Sequence, residues 1–300
     1  MPSKHAYLLM LHHRKDLVDL LLEAIDDERN DIIVHIDSKC KEFSFSDLKV
    51  NKSNLYEVKD RINVNWGAYS QIKCELALMK EAAKHGPYAY CHLMQDASYP
   101  LKTQDELHRF YDEHQGTEFV SIDSKRNYGR VQFVHVPRDL RLPKNLYVRL
   151  DNYLVAFQKR RGVDRFKQFN LEYKKGFALW SITDDLLHHI LDNEKLIAKM
   201  MKHSVCGDEI FMQVITYNSK FKDKLNYIDD KKDFTSCMWA STWPIEDRDI
   251  FRDHHNFQLE DYFMLMESNA NFARKFEGKD GLALINMLKQ NLEMKKDENV

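Results

Sequence analysis

Apolar runs of strand composition alternate with stretches of helical spacing along residues 1–122, and this alternation restricts the fold more than any other feature of the chain. His5 to Leu11 is a short apolar run. Leu17, Leu20, Leu21, Leu22, Ala24 and Ile25 make a helical face after Asp16, an N-cap candidate, and Ile32 to Ile36 is a second, β-branched run. Helical spacing returns from Tyr69 to Ala83 and strand composition from Tyr88 to Met94. Thr103 and Glu106 then form a capping box that opens a helix to Tyr111, and Phe119 to Ile122 reads as another strand. Such alternation predicts an α/β fold in which a mainly parallel central sheet is covered by helices.

Downstream the pattern changes. From Arg138 to Lys175 eleven Lys or Arg stand against four Asp or Glu, interleaved with Tyr147, Tyr153, Phe157, Phe166, Phe169 and Tyr173. The segment reads as a helical insertion whose charges either solvate it or meet an anionic acceptor or anionic lipid headgroups. Phe177 to Ile182 resumes as a strand, followed by helices at Asp184 to Leu191, Asp208 to Tyr217, Gln258 to Glu267 and Leu282 to Leu292. The whole chain carries a formal charge of only −2, which gives no global case for a nucleic acid polymer as partner. The first thirty residues hold an apolar run too brief for a membrane span or a signal peptide, so a cytoplasmic protein is expected. Cys40, Cys74, Cys91, Cys206 and Cys237 contain no C-x-x-C pair and read as reduced thiols.

Three places carry chemistry. Asp37 closes the second strand, where a carboxylate either caps its own turn or accepts ribose hydroxyls of a nucleotide. No glycine-rich dinucleotide motif or P-loop is present, so a nucleotide needs other phosphate partners. Asp208 and Glu209 begin an apolar helix; they are favourable first-turn acids or a general base held at a helix start. Arg274 and Lys275 sit between phenylalanines, where charge of this sort can neutralise a diphosphate leaving group without a metal. In a strand the two point to opposite faces, so one of them is expected in a site. The fourteen histidines include the adjacent pairs His12-His13, His188-His189 and His254-His255, whose side chains diverge on a regular element, so no metal site is expected. Asp247-Arg248-Asp249 is a literal D-x-D but does not follow a buried strand.

With these residues in view, the sequence resembles glycosyltransferase family 14, the core-2/I-branching β-1,6-N-acetylglucosaminyltransferases and protein xylosyltransferases, in its short bacterial form. The resemblance runs from about His5 to about Phe276 and rests on five blocks: His5 to His13, Val34 to Lys39, Val64 to Ser70, Gly207 to Phe211 and Phe272 to Phe276. It implies a GT-A-like variant with a Rossmann-like nucleotide-binding half, binding a UDP-sugar without a metal. Glu209 matches the family's catalytic base, and Lys275 a cation on the diphosphate. Arg252 falls at a second such cation, while Asp37 and Trp66 match the nucleotide pocket. Two blocks depart from the family: Ser98 stands at a usual Asp with Asp96 two positions earlier, and Tyr227-Ile228-Asp229-Asp230 lacks an acceptor-side tryptophan.

The expectation is a single glycosyltransferase domain over 1–300. A nucleotide-binding half covers 1–122, an acceptor and catalytic half with the basic insertion 138–175 covers 123–276, and a C-terminal helix and tail covers 277–300. The activity expected is inverting, metal-independent transfer of GlcNAc or xylose from a UDP-sugar to a glycan acceptor hydroxyl, in surface polysaccharide or glycoconjugate synthesis. No cofactor is needed beyond the donor. The acceptor is a glycan or lipid-linked glycan, with peripheral contact at the inner face of an anionic membrane. The alternatives are a catalytically silent carbohydrate-binding protein on the same fold and, in a third class, a metal-dependent hydrolase using the histidines.

Overall fold

The computed structural model describes residues 3–122, 127–226, 235–241 and 256–298. The opening is the βαβ unit that the alternation predicts: β1 (His5–Leu11), α1 (Lys15–Ile25) and β2 (Asn30–Ile36). Every residue of β1 and β2 is buried, as strands covered by helices on both faces require. Next come β3 (Asn54–Glu57), α2 (Tyr69–Ala82), β4 (Tyr90–Gln95), β5 (Ser98–Pro100) and α3 (Gln104–Glu113). The capping box is in place, with Thr103 Oγ1 accepting from the Glu106 N–H at 3.2 Å and Glu106 Oε2 accepting from the Thr103 N–H at 2.7 Å. The start of α1 differs from expectation. Arg14 is its N-cap, in the left-handed region at φ 54°, and Asp16 sits in the first turn.

α4 (Gly129–Gln132) precedes the basic insertion, which holds α5 (Lys144–Arg160). β6 (Ser181–Ile182), α6 (Asp184–Asp192), α7 (Glu194–Met201), α8 (Phe211–Tyr217), β7 (Trp239–Ser241), α9 (Tyr262–Glu267), β8 (Phe272–Arg274) and α10 (Gly281–Glu298) complete the fold. Two predicted strands are shorter than their apolar runs. Phe119 to Ile122 makes only an isolated bridge from Phe119 to Ser181, and of Phe177 to Ile182 only the last two residues pair. Burial explains both runs, since Phe119, Val120 and Ile122 lie in the core without a neighbouring edge to extend along.

Five strands form the main sheet in the order β3-β2-β1-β4-β6, parallel throughout except for β6. The observed class is thus α/β with a mainly parallel central sheet covered by helices. The chain winds from β1 outward to β2 and β3 on one side and reaches β4 on the other, so the order of winding reverses between the parallel strands β1 and β4. A small second sheet, β5-β8-β7, lies next to this point because β5 follows β4 by a two-residue turn. Ala97 in that turn has φ 61°, and the Phe276 N–H bonds its carbonyl at 2.9 Å, so the end of β8 is fastened beside the end of β4. All five cysteines are buried and none is in a disulfide. Among the described residues no helix is long and apolar enough to cross a membrane.

Candidate active site

An open cleft with about 650 Å³ of empty space lies beyond the carboxyl ends of β1, β2 and β4, at the reversal point where open α/β sheets hold ligands. His12 and Gln95 come from the two strands that flank that point, Asp37 from the end of β2, Trp66 from the loop before α2, and Arg274 and Lys275 from the end of β8. Three of the site residues singled out in the sequence, Asp37, Trp66 and Lys275, therefore share one cavity although they are 238 positions apart at the extremes.

Asp37 is buried and already engaged. Its carboxylate accepts from the Lys39 N–H at 2.8 Å, from Lys39 Nζ at 2.9 Å and from the Val64 N–H at 3.2 Å. It is thus both a turn residue and a cleft residue, and a carboxylate with about four acceptor positions keeps about one for a ligand. His35 beside it accepts from the Ile62 N–H at 2.8 Å, and burial pushes its imidazole down to about 4, so it lines the cleft uncharged. Trp66 is exposed at the rim, with the Arg138 guanidinium 4.3 Å from its ring. Gly67 turns the chain there at φ 67°. A side chain at that position would approach both Cys206 and Arg138, so the turn favours glycine on two counts.

The cationic end of the cleft corrects the expectation that Arg274 and Lys275 diverge. β8 ends at Arg274, so Lys275 lies past the last paired residue and the strand alternation no longer separates them; both line the cleft. Arg274 Nε is buried and has no hydrogen-bond partner. Burial lowers the Arg274 guanidinium from its ordinary value, against the attraction of Asp96 and Glu277. Lys275 is ion-paired with Glu277, which also receives His13.

Behind these cations the loop after β1 folds around Asp96. Asp96 Oδ2 accepts the backbone N–H groups of His12 and His13 at 2.8 and 3.1 Å, and Nδ1 of each ring lies within 3.0 Å of it. Burial by itself raises the Asp96 carboxyl, but the bonds from His12 and His13 outweigh it and hold it well below the usual carboxylate range. The hydrogen bond to Asp96, against partial burial and with help from Glu277, pushes His13 up to about 9, so it is a cation at neutral pH. The adjacent histidines thus converge, contrary to the sequence expectation, because they lie past the end of β1 where no regular alternation holds. His12, His13 and Asp96 offer ligand atoms within 4.8 Å of one another, the set that could hold a metal ion among the described residues. The Asp96 oxygen is occupied by two backbone donors, and the ring contacts are of hydrogen-bond length.

Glu209 stands in a single turn of 3₁₀-helix, Gly207–Glu209, ahead of α8 rather than in its first turn. Its carboxylate meets Arg130 Nη1 at 2.6 Å and Lys175 Nζ at 3.0 Å; sequence reasoning counted Lys175 only as part of the basic segment and did not single out Arg130. The loop is tied to the cleft rim by the Cys206 N–H, which donates to the Gly67 carbonyl at 3.0 Å, and Cys206 itself is held at φ 49°. From below, the Gly176 N–H donates to the Glu209 carbonyl at 2.9 Å. A Cβ on Gly176 would lie 1.9 Å from the Ser121 carbonyl, so only glycine passes there. Asp208 is buried with Oδ1 unpartnered, and burial together with the neighbouring Glu209 charge pushes its carboxyl up to about 7. Three of the seven non-glycine residues with left-handed backbone among the described residues, Arg14, Ala97 and Cys206, lie in the loops next to this site.

Arg252, Asp247-Arg248-Asp249 and Tyr227 to Asp230 lie outside the described residues. The residues that sequence reasoning missed are Glu277, Arg130, Lys175 and Arg138, and it gave Arg274 the lesser part. Only the cation content of the basic segment pointed toward two of them, Arg138 and Lys175.

The sequence model described as core-2/I-branching enzyme matches residues 5–245. Among solved structures, the apo form of mouse xyloside xylosyltransferase 1 is similar at 13% identity over 90% of this chain and 96% of that one, with a TM-score of 0.37.

Proposed function

The chain belongs to the core-2/I-branching enzyme family and is a glycosyltransferase, and from that premise we propose that it is an inverting, metal-independent enzyme that takes its sugar from a UDP-sugar. The observation that carries this reading is the gathering of Asp37, Trp66, Arg274 and Lys275 around one cleft whose rim is bonded to the loop of Glu209. Asp37 accepts a hydroxyl or N–H of the nucleoside with its remaining lone pair. Trp66 supplies an exposed ring for stacking, already backed by Arg138. Arg274 and Lys275 face the diphosphate and neutralise the charge that develops as UDP leaves. With His13 charged, three cations (His13, Arg274, Lys275) stand against the carboxylates of Asp96 and Glu277, so this end of the cleft keeps an excess of positive charge for an anion.

In the reaction, Glu209 takes the proton of an acceptor hydroxyl as its oxygen attacks the anomeric carbon. The bond to the diphosphate breaks on the opposite face, and an α-linked donor yields a β-glycoside. One carboxylate suffices, because the diphosphate leaves without the proton that a glycosidase must supply. The acceptor is a glycan or lipid-linked glycan, and GlcNAc or xylose is the sugar that family likeness favours. Arg252 remains a proposed second diphosphate cation on sequence grounds. UDP release measured with and without EDTA tests the whole reading: turnover with GlcNAc or xylose donors that survives chelation supports it, and turnover lost to EDTA and restored by manganese overturns metal independence. A second reading, a silent carbohydrate-binding protein, draws on the ion pairs from Arg130 and Lys175, which occupy the Glu209 carboxylate. Glycan binding with no turnover on any UDP-sugar selects it.

A further inference from the structure

α5 has the solvent exposure of a helix that lacks a partner. Of its seventeen residues only Gln158 is buried, and six of the thirteen large hydrophobic side chains exposed among the described residues fall between Leu140 and Phe157. One face holds the helix to the body. Tyr147 packs its ring 5.2 Å from Arg138, Asp151 bonds His135 at 3.0 Å and the Val136 N–H at 2.9 Å, and Gln158 bonds both the N–H and the carbonyl of Val134.

A different face carries Leu146, Leu150, Tyr153 and Phe157, spaced i, i+4, i+7 and i+11, which align as one stripe along the helix. These four are between 42% and 76% exposed. Arg149 and Arg160 run along one side of the stripe and Arg161 along the other, its guanidinium 4.8 Å from the Phe157 ring. Asp151 is the one acidic residue of α5, and its carboxylate is spent on His135 and Val136. Not all of the basic segment shares this surface: Phe166 is buried and Arg165 donates to the Val131 and Met200 carbonyls, so those two residues are structural.

We propose that α5 is a membrane-surface helix, lying along an anionic bilayer with Leu146, Leu150, Tyr153 and Phe157 between the headgroups and Arg149, Arg160 and Arg161 on lipid phosphates. An apolar stripe edged by cations with no free acid is the pattern of an interfacial helix. A second copy of the chain is a poorer occupant, because a two-fold contact through this stripe sets the arginines of one copy against those of the other. Tyr147, Arg138 and Trp66 link the start of α5 to the cleft rim, so docking holds the cleft close to the bilayer, within reach of a lipid-linked acceptor; that consequence alone rests on the transferase reading.

The test is co-sedimentation of the full chain with phosphatidylcholine vesicles, with and without phosphatidylglycerol, at low and raised salt. Binding is expected only with phosphatidylglycerol, falling away as salt passes physiological strength and screening shortens below about 8 Å. Replacing Arg149, Arg160 and Arg161 with Gln removes about fivefold in partitioning for each cation, on the order of 10²-fold together. Leu150→Gln with Tyr153→Gln lowers it at least about tenfold while leaving the arginines in place. Thermal melts and UDP binding of all variants match the wild type, since these side chains touch neither core nor cleft. Absence of wild-type co-sedimentation, or binding indifferent to the stripe substitutions, overturns the proposal. So does a wild-type dimer in light scattering that the stripe substitutions turn into monomer, which assigns the stripe to a second copy. None of these readouts depends on turnover, so failure here and failure of the transferase reading are separate results.

Discussion

Glu209 and Asp208 are neighbours in sequence and opposites in environment. Glu209 reaches Arg130 and Lys175, whereas Asp208 points into the core, where one oxygen has no partner. Glu209→Gln is expected to lower transfer by about 10²-fold or more while UDP still binds, because an amide cannot accept the proton. Turnover above about a tenth of wild type would remove Glu209 from the role of base. At Asp208 the prediction concerns stability. Its folded value near 7 exceeds the ordinary carboxylate value, so between about pH 4 and pH 7 the folded state holds more proton than the unfolded one, and this residue costs stability as pH rises through that window. Asp208→Asn should therefore raise the melting temperature more at about pH 8 than at about pH 4.5; an equal change at both would show that the carboxyl ionises freely. At the other end of the cleft, Arg274→Ala and Lys275→Ala are each expected to lower donor turnover in the presence of EDTA, with no rescue by manganese. The sequence favoured Lys275 alone because strand alternation was applied one residue past the end of β8. An effect confined to Lys275 would restore that earlier expectation.

At the scale of elements, local chemistry was legible wherever the deciding bonds were local. Thr103 and Glu106 satisfy each other's backbone within four residues, so the start of α3 could be read without any tertiary contact, and Thr103→Ala is expected to cost about 1 kcal/mol in urea unfolding. A loss below a few tenths would mean that the cap is replaced by another donor or water. The strands after residue 118 were not legible in the same way. Their apolar runs report burial, but pairing depends on which edge arrives beside them, and here Phe119 meets Ser181 for a single bridge. The turn carrying Glu209 was misread for a related reason. Cys206-Gly207-Asp208-Glu209 has the composition of a helix start, but its bonds to Gly67 and Gly176, distant in sequence, set it apart from α8.

For the whole molecule, the buried histidines bear on stability. His5, His92 and His108 form a buried cluster, with His5 stacked 4.0 Å from His108, and burial pushes all three and His35 below the ordinary imidazole range, His35 and His108 to about 4. Because the unfolded chain protonates these rings first, their contribution to stability is lost as pH falls from about 6.5 toward 4. His13 acts in the opposite sense: its raised value, about 9, gives stability that is complete below about 6.5 and lost as pH rises through 9. The two windows meet near neutrality. The four buried histidines outnumber the three buried carboxyls that oppose them on the acid side, Asp208 and Glu118, each raised to about 7, and Glu75, which burial also raises. The midpoint of urea unfolding should therefore climb from about pH 4 to a maximum between about 6 and 7 and decline toward 9; a steady fall from acid upward would contradict the neutral state of the histidine cluster. The sequence by itself determined the α/β class, the opening βαβ unit and the family, and it singled out Asp37, Trp66 and Lys275, which the fold brings to one cleft, because hydrophobic period, caps and short motifs are properties of neighbours along the chain. Only the tertiary structure decided that Lys275 and His13 share Glu277, that Arg130 and Lys175 hold Glu209, that Arg274 enters the cleft and that the stripe on α5 is left uncovered. Each of these depends on distances between residues far apart in sequence, and ion pairing and burial follow from those distances.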